Sequence, residues 1–194
     1  MLIVGGWTVA AGLQTHHFDP VSGSISALAA VGATDRWVMT LALLSTGVCH
    51  VITGLALRPA APAGRLILMI GGVAVIMVAA NPQHAGGVGT LPHTFWATLG
   101  FIALAAWPIA SWKRGPSVPY GLRPAVAAGA AAVQACLLAW FYAEVTTSGG
   151  QLGLAERVLA AAQAIWPLAV VLTCRRSPSA RSGPGPAAAA AAGH

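Results

Sequence analysis

Charged residues are scarce in this sequence. They make up 7% of its 194 residues, whereas a soluble domain carries about 25%. Hydrophobic residues reach 57%, and the mean hydropathy is +0.74. So few charged residues cannot cover a surface that faces water. The composition therefore excludes an ordinary soluble domain and indicates an integral membrane protein.

Acidic residues and cysteine motifs are scarce as well. The chain has 4 Asp plus Glu against 10 Lys plus Arg, which gives a net charge of +6. Basic residues this widely spaced are too sparse for a nucleic-acid-binding surface. Cys49, Cys136 and Cys174 lie apart in apolar stretches, which excludes a disulfide framework and a CxxC metal or redox motif. No glycine-rich GxGxxG or Walker-type loop occurs, so no nucleotide cofactor is expected.

Long uncharged runs predict the membrane-spanning helices, because one span needs about 20 apolar residues. Residues 66–112 contain no Asp, Glu, Lys or Arg, and they are long enough for two spans joined by the turn-rich residues 81–87. The first run is short, and we interpret it as a retained helix rather than a signal peptide because no basic residue precedes Arg36. The predicted apolar segments are residues 1–13, 37–57, 66–112, 124–142 and 158–174.

These segments predict an all-α, six-helix transmembrane bundle over residues 1–176, followed by a disordered tail rich in proline, alanine and glycine at residues 177–194. The alanine-rich fifth and sixth spans are expected to form the closest helix pair. Short loops rich in Lys and Arg stay in the cytoplasm, so the alternation of loop charge predicts that both termini are cytoplasmic. The cytoplasmic face would carry Arg58, Arg65, Lys113, Arg114, Arg123, Arg175, Arg176 and Arg181, and the opposite face Arg36, Arg157, Asp19, Asp35, Glu144 and Glu156.

Several short motifs are spread along almost the whole chain. They are Phe18-Asp19-Pro20-Val21-Ser22, Ser24-Ile25-Ser26-Ala27-Leu28, Asp35-Arg36-Trp37-Val38-Met39, Asn81-Pro82, His93, Gly153-Leu154-Ala155-Glu156-Arg157-Val158 and Trp166-Pro167-Leu168. In these motifs the sequence resembles bacterial six-helix membrane proteins, frequent in actinobacteria, that are catalogued as a domain of unknown function. The resemblance implies a multi-pass protein of the bacterial plasma membrane and implies no activity.

Polar residues gather at the predicted non-cytoplasmic ends of the helices and predict a polar pocket there. Asp19 precedes Pro20, as an N-cap precedes a proline at the first helical position, so it is either a capping residue or a reactive acid. Glu144 follows three aromatic residues and has no basic neighbour in sequence; it is either a partly desolvated acid or an exposed acid just past a helix end. Three polar residues within spans are candidates for function or for interhelical hydrogen bonds, namely His50, Gln134 and Gln163.

Acids beside aromatic rings at a membrane face favour proton-initiated chemistry on an apolar substrate, since the acid donates a proton and the rings stabilise a developing cation. In size, architecture and residue type the sequence is similar to the small membrane-embedded terpene cyclases, which act on prenylated, meroterpenoid-type acceptors. We therefore predict cyclisation or isomerisation of an isoprenoid-like lipid, with Asp19 and Glu144 as the acid and base and with no cofactor or metal. Supporting roles are predicted for His93, Glu156, Arg157, Ser24, Trp140 and Tyr142.

Two alternatives use the same polar pocket. In the first, the protein is a non-catalytic lipid-binding, scaffold or permease-like protein whose polar residues satisfy the helix ends. In the second, it is a metal-dependent hydrolase. The spacing disfavours the second alternative, because His16 and His17 are adjacent and no His-Glu-x-x-His motif occurs. The metal ligands in that case would come from His16, His17, Asp19, His84 and His93.

Overall fold

The computed structural model describes residues 2–84 and 89–176, and over these residues the chain is helical, with no strand. Two short 3-10 turns, Ser26–Ala29 and Tyr120–Leu122, lie in the connections. The all-α, six-helix prediction is confirmed, whereas the predicted tail at 177–194 lies outside the described residues. The six helices are α1 Leu2–Gly12, α2 Trp37–Ala56, α3 Pro62–Ala80, α4 Leu91–Ser111, α5 Pro124–Thr147 and α6 Leu152–Arg176.

Proline and capping residues fix where the helices begin. Pro62 and Pro124 are the first residues of α3 and α5, a position where proline costs no helical hydrogen bond. Thr90 caps α4, because its hydroxyl oxygen accepts the backbone N–H of His93 at 3.3 Å. At the end of α5, Ser148 adopts a left-handed conformation with φ of 52°, which turns the chain sharply towards α6.

Five of the described helices, α2 to α6, are long and apolar enough to cross a membrane. The remaining helix, α1, has 11 residues and is therefore only about 16 Å long. The protein is accordingly a multi-pass membrane protein.

The closest helix packing centres on α3, which contacts α2 and α4 more extensively than any other helices contact each other. Gly47 and Gly72 bring α2 and α3 together, since a Cβ on either glycine would lie 2.6 or 2.7 Å from the other's carbonyl oxygen. On α4, the backbone of Ser111 lies against Gly64 of α3. The expectation that α5 and α6 form the closest pair is therefore wrong. Glycine permits a closer backbone approach than alanine does, and many alanines of α5 are exposed.

Hydrogen bonds between connecting segments sort the helix ends into two groups. At one end, the backbone N–H of Val31 donates to the carbonyl of Gln83, which joins the connection 13–36 to residues 81–84. At the other end, the N–H of Ala61 donates to the carbonyl of Ser111, which joins 57–61 to the last residue of α4, where the connection 112–123 begins. We name the first group the acidic end and the second the basic end. The acidic end carries Asp19, Asp35, Glu144 and Glu156, and the basic end carries Arg58, Arg65, Lys113, Arg114 and Arg123.

Candidate functional site

The connection between α1 and α2 folds over the acidic end and packs into the core. Its 3-10 turn is anchored by Leu28, which is fully buried, and by Ile25, which immediately precedes the turn. Both residues belong to an apolar cluster that includes Met39 of α2 and Ala160 of α6. The connection is therefore an integral part of the bundle and brings its polar residues against the start of α6.

Arg157, in α6, holds this connection by its guanidinium group. Its Nη1 donates to the carbonyl oxygens of Pro20, Gly23 and Gly153 at 2.8, 2.7 and 2.9 Å. The guanidinium carbon also lies 5.6 Å from the ring centroid of Phe18, within the range of a cation–π interaction. A planar guanidinium group presents several donors in fixed directions, which suits a set of carbonyl oxygens from two segments of chain.

Glu156 precedes Arg157 and is buried, with 6% of its surface exposed. Its Oε2 accepts the backbone N–H of Ile25 at 2.6 Å. Charged side chains are almost never fully buried unless they are paired or hydrogen-bonded. A buried carboxyl held by a backbone N–H is therefore a candidate functional group.

His93, in the first turn of α4, joins three segments of the acidic end. Its Nδ1 lies 2.8 Å from the carbonyl oxygen of Asn81, and its Nε2 lies 3.2 Å from Oγ of Ser26 and 3.4 Å from Nε2 of Gln83. A carbonyl oxygen can only accept a hydrogen bond, so Nδ1 carries the proton in the neutral ring and Nε2 is left as an acceptor. The Ser26 hydroxyl therefore donates to Nε2.

Two cavities meet beside these residues. The acidic-end cavity has a volume of about 220 Å³ and lies between α4, α5, the start of α6 and the connection 13–36. The interior cavity has a volume of about 60 Å³ and lies deeper in the bundle, with mainly apolar walls. Four residues line both cavities: Ser26, Ala97, Phe101 and Glu156.

Polar atoms also face the interior of the bundle. Oγ1 of Thr46 and Nδ1 of His50 are buried and lack a hydrogen-bond partner within the described ranges, and both residues line the interior cavity. Gln163 lines it too, and its Nε2 donates to the carbonyl of Phe101 at 2.9 Å. Gln163 therefore makes the predicted interhelical hydrogen bond, and Nδ1 of His50 and Oγ1 of Thr46 retain hydrogen-bonding capacity for a molecule in the cavity.

Asp19 stabilises the turn that follows it. Its carboxylate accepts the N–H of Val21 at 3.0 Å, and the N–H and hydroxyl of Ser22 at 3.3 and 2.6 Å. The hydroxyl of Ser22, followed by the N–H of Val21, holds the pKa of Asp19 below its ordinary value. The side chain is exposed and lines neither cavity. Asp19 is thus a capping residue of a turn, and its catalytic role stays a prediction.

Glu144 stabilises the connection between α5 and α6. Its Oε2 accepts the N–H of Gln151 at 3.0 Å, and its carboxyl packs against Gly149. Like Asp19, Glu144 lines neither cavity, and its role as acid or base stays a prediction. Of the residues predicted to have supporting roles, Ser24, His93, Tyr142 and Glu156 line the acidic-end cavity, whereas Trp140 and Arg157 do not.

Ser26 and Glu156 are more prominent in the structure than their positions in the sequence indicate. Both are central because each lines both cavities and each is fixed by a hydrogen bond to a distant segment. The available signal was an acid in the apolar stretch that begins α6. The metal-hydrolase alternative gains no support, because the part of the chain that the structure describes contains no group of three or more His, Cys, Asp or Glu placed to hold a metal ion.

Comparison with known proteins identifies a family and no activity. A model of a family described as a protein of unknown function, DUF998, matches residues 1–173. No curated protein and no solved structure matches the chain. The match extends over nearly the whole sequence and confirms the resemblance to a family of unknown function. This multi-pass membrane protein therefore belongs to the DUF998 family.

Proposed function

We propose that the protein binds an isoprenoid-like lipid in the two linked cavities and catalyses its proton-initiated cyclisation or isomerisation. The observation that carries this proposal is the position of Glu156, which lines both cavities while Ile25 fixes one of its oxygens. A lipid with its polar group in the acidic-end cavity and its chain in the interior cavity would pass beside this carboxyl. A positioned carboxylic acid contributes about 10²–10⁴-fold to a proton-transfer step.

The aromatic residues of the two cavities support cation chemistry. Trp96 and Phe101 line the interior cavity, and Phe141 and Tyr142 line the acidic-end cavity. Aromatic faces attract a positive charge, so a carbocation formed next to Glu156 would be stabilised on both sides. The mainly apolar walls of the interior cavity would disfavour water, which could otherwise capture the cation.

The proposed proton donor is Glu156, not Asp19 or Glu144, which the sequence favoured. Asp19 and Glu144 accept backbone N–H groups in their own turns, whereas the carboxyl of Glu156 borders both cavities. His93 and Ser24 complete the polar wall of the acidic-end cavity. Arg157 supports the site by holding the connection that contains Ile25.

The membrane topology is part of the proposal. We place the acidic end outside the plasma membrane of a bacterium and both termini in the cytoplasm, because the basic end carries most of the Arg and Lys residues. The substrate would then enter from the outer leaflet.

Incubation of the purified protein with a prenylated hydroquinone in deuterated water tests the catalytic proposal. The wild type should yield a cyclic isomer with one carbon-bound deuterium, detected by gas chromatography and mass spectrometry. Glu156→Gln should lower the rate by about 10²–10⁴-fold, because glutamine still accepts the N–H of Ile25 but cannot donate an acidic proton. Asp35→Asn is the matched control, since Asp35 is an exposed acid at the same end of the bundle.

A binding measurement with the same compound separates catalysis from simple lipid binding. The mainly apolar interior cavity also suits a non-catalytic lipid-binding protein. Retention of the prenylated hydroquinone through gel filtration, with no deuterium incorporated, would refute the catalytic proposal and support binding alone. If the compound were neither retained nor converted, both the catalytic proposal and the lipid-binding alternative would be refuted.

A further inference from the structure

We propose that Ser26 is a nucleophile and His93 its general base, so that the acidic-end cavity has a second activity, namely acyl transfer from an ester that carries an apolar chain. The proposal shares this cavity with the isomerisation proposed above but does not use the proton of Glu156. Either activity can therefore be present without the other.

The arrangement of three groups carries the inference. The carbonyl of Asn81 accepts the Nδ1–H of His93 at 2.8 Å, and Nε2 on the other side of the ring is 3.2 Å from Oγ of Ser26. A serine next to a base that is itself oriented by a third group is the arrangement that activates a hydroxyl for nucleophilic attack. Here a backbone carbonyl takes the orienting position, and it fixes the tautomer in which Nε2 can accept the serine proton.

Both side chains are held by rigid elements. His93 lies in the first turn of α4, where its N–H donates to the hydroxyl of Thr90. Ser26 begins the 3-10 turn whose Leu28 is fully buried in the core. Ser26 and His93 are themselves only 8% and 5% exposed. Such anchoring keeps the pair within reach of a proton transfer without a conformational change.

The cavities give a substrate access to the pair. Ser26 and His93 both line the acidic-end cavity, and Ser26 also borders the mainly apolar interior cavity. An ester carbonyl in the acidic-end cavity would therefore lie next to Oγ of Ser26 while the acyl chain extends inwards. The amide of Gln83 lines the same cavity, with its Nε2 3.4 Å from Nε2 of His93, and we assign it as the donor to the carbonyl oxygen.

The reaction would proceed in two balanced steps. Oγ of Ser26 attacks the ester carbon as its proton passes to Nε2 of His93, and the negative charge on the carbonyl oxygen is stabilised by Gln83. The intermediate then expels the alcohol, which takes the proton from His93, and an acyl group remains on Ser26. In the second step water, or another alcohol, gives a proton to His93, attacks the acyl carbon and releases Ser26, which recovers its proton.

A fluorophosphonate with a long alkyl chain tests the inference directly, because it phosphonylates activated serines with loss of fluoride. The purified full chain in detergent should be modified on Ser26, as located by mass spectrometry of its peptides. Ser26→Ala should abolish the modification. Ser111→Ala is the matched control, because Ser111 is a buried serine at the basic end whose hydroxyl donates to the carbonyl of Pro108 at 2.8 Å.

The role of His93 has a separate measurement. His93→Ala should slow the modification of Ser26 by about 10²–10⁴-fold, and added imidazole should restore part of the rate. A purely structural role of His93 would give no rescue by imidazole. Absence of modification in the wild type, equal modification of Ser26→Ala, or modification of another serine alone would overturn the inference. Deuterium incorporation, which tests the isomerisation, is measured independently of all these outcomes.

Discussion

The backbone N–H of Ile25 donates a hydrogen bond of 2.6 Å to Oε2 of Glu156, although the two residues are 131 positions apart in the chain. The next residue, Arg157, adds hydrogen bonds to the carbonyls of Pro20 and Gly23. Together they attach the connection 13–36 to the start of α6. The acidic-end cavity depends on this attachment, because its walls include residues from both segments.

We predict that Glu156→Leu destabilises the protein more than Glu156→Gln does. Leucine leaves the buried N–H of Ile25 without an acceptor, which costs about 1–3 kcal/mol, whereas the glutamine oxygen can still accept it. Thermal unfolding of the two purified variants in the same detergent measures the difference. Equal midpoints, or a more stable leucine variant, would show that the hydrogen bond contributes nothing to stability.

Gly153→Ala is expected to displace the connection from α6. A Cβ at this position would overlap the carbonyl oxygen of Gly23 and lie 2.7 Å from that of Pro20. Overpacking of this kind costs about 1–3 kcal/mol, and the connection should become more susceptible to proteases. Limited proteolysis, with cleavage sites mapped by mass spectrometry, measures the change.

The matched control for that substitution is Gly129→Ala in α5. A Cβ there would meet nothing within 4 Å, so the variant should retain wild-type resistance to proteases. Alanine is also favoured over glycine in a helix by about 1 kcal/mol. If both variants behaved alike, the close approach of Gly153 to the connection would not be what requires a glycine.

The sequence predicted the helices well and the site poorly, for a physical reason. Uncharged runs bounded by charge or proline mark the spans, so α2 was predicted to begin at Trp37 and α5 at Pro124, as the structure shows. By contrast, α6 begins at Leu152 rather than near residue 158. Its first turns contain the charged pair Glu156 and Arg157, and both side chains are hydrogen-bonded to the connection 13–36.

Contacts between distant segments account for the rest of the difference. The pairing of Ser26 with His93 joins residues 67 positions apart. A periodic pattern within one segment cannot predict such a contact. Capping, however, is local in sequence. The motif of Asp19 with Pro20 therefore pointed correctly to a capping role, although Asp19 caps a turn rather than a helix.

We predict that Ser22→Ala raises the pKa of Asp19 towards its ordinary value of 3.8, because it removes the hydroxyl that donates to the carboxylate at 2.6 Å. The pKa in the folded protein is lowered, so the stability contributed by the carboxylate is present above the ordinary pKa and is lost as the pH falls through the lowered value. A carboxyl-detected NMR titration in micelles measures the midpoint. Thr15→Ala is the control. An unchanged midpoint in Ser22→Ala would exclude the hydroxyl as the main cause.

Accessibility of the two ends tests the proposed topology. In a variant with its three native cysteines replaced, we predict that Asp19→Cys reacts in intact cells with a thiol reagent that cannot cross membranes. Arg58→Cys should react only after the cells are opened, because short basic loops are retained in the cytoplasm. The two positions lie at opposite ends of the bundle, so they must differ whichever way the protein is inserted. The reverse pattern would invert the topology and place the acidic-end cavity in the cytoplasm, and equal reactivity would contradict the transmembrane arrangement itself.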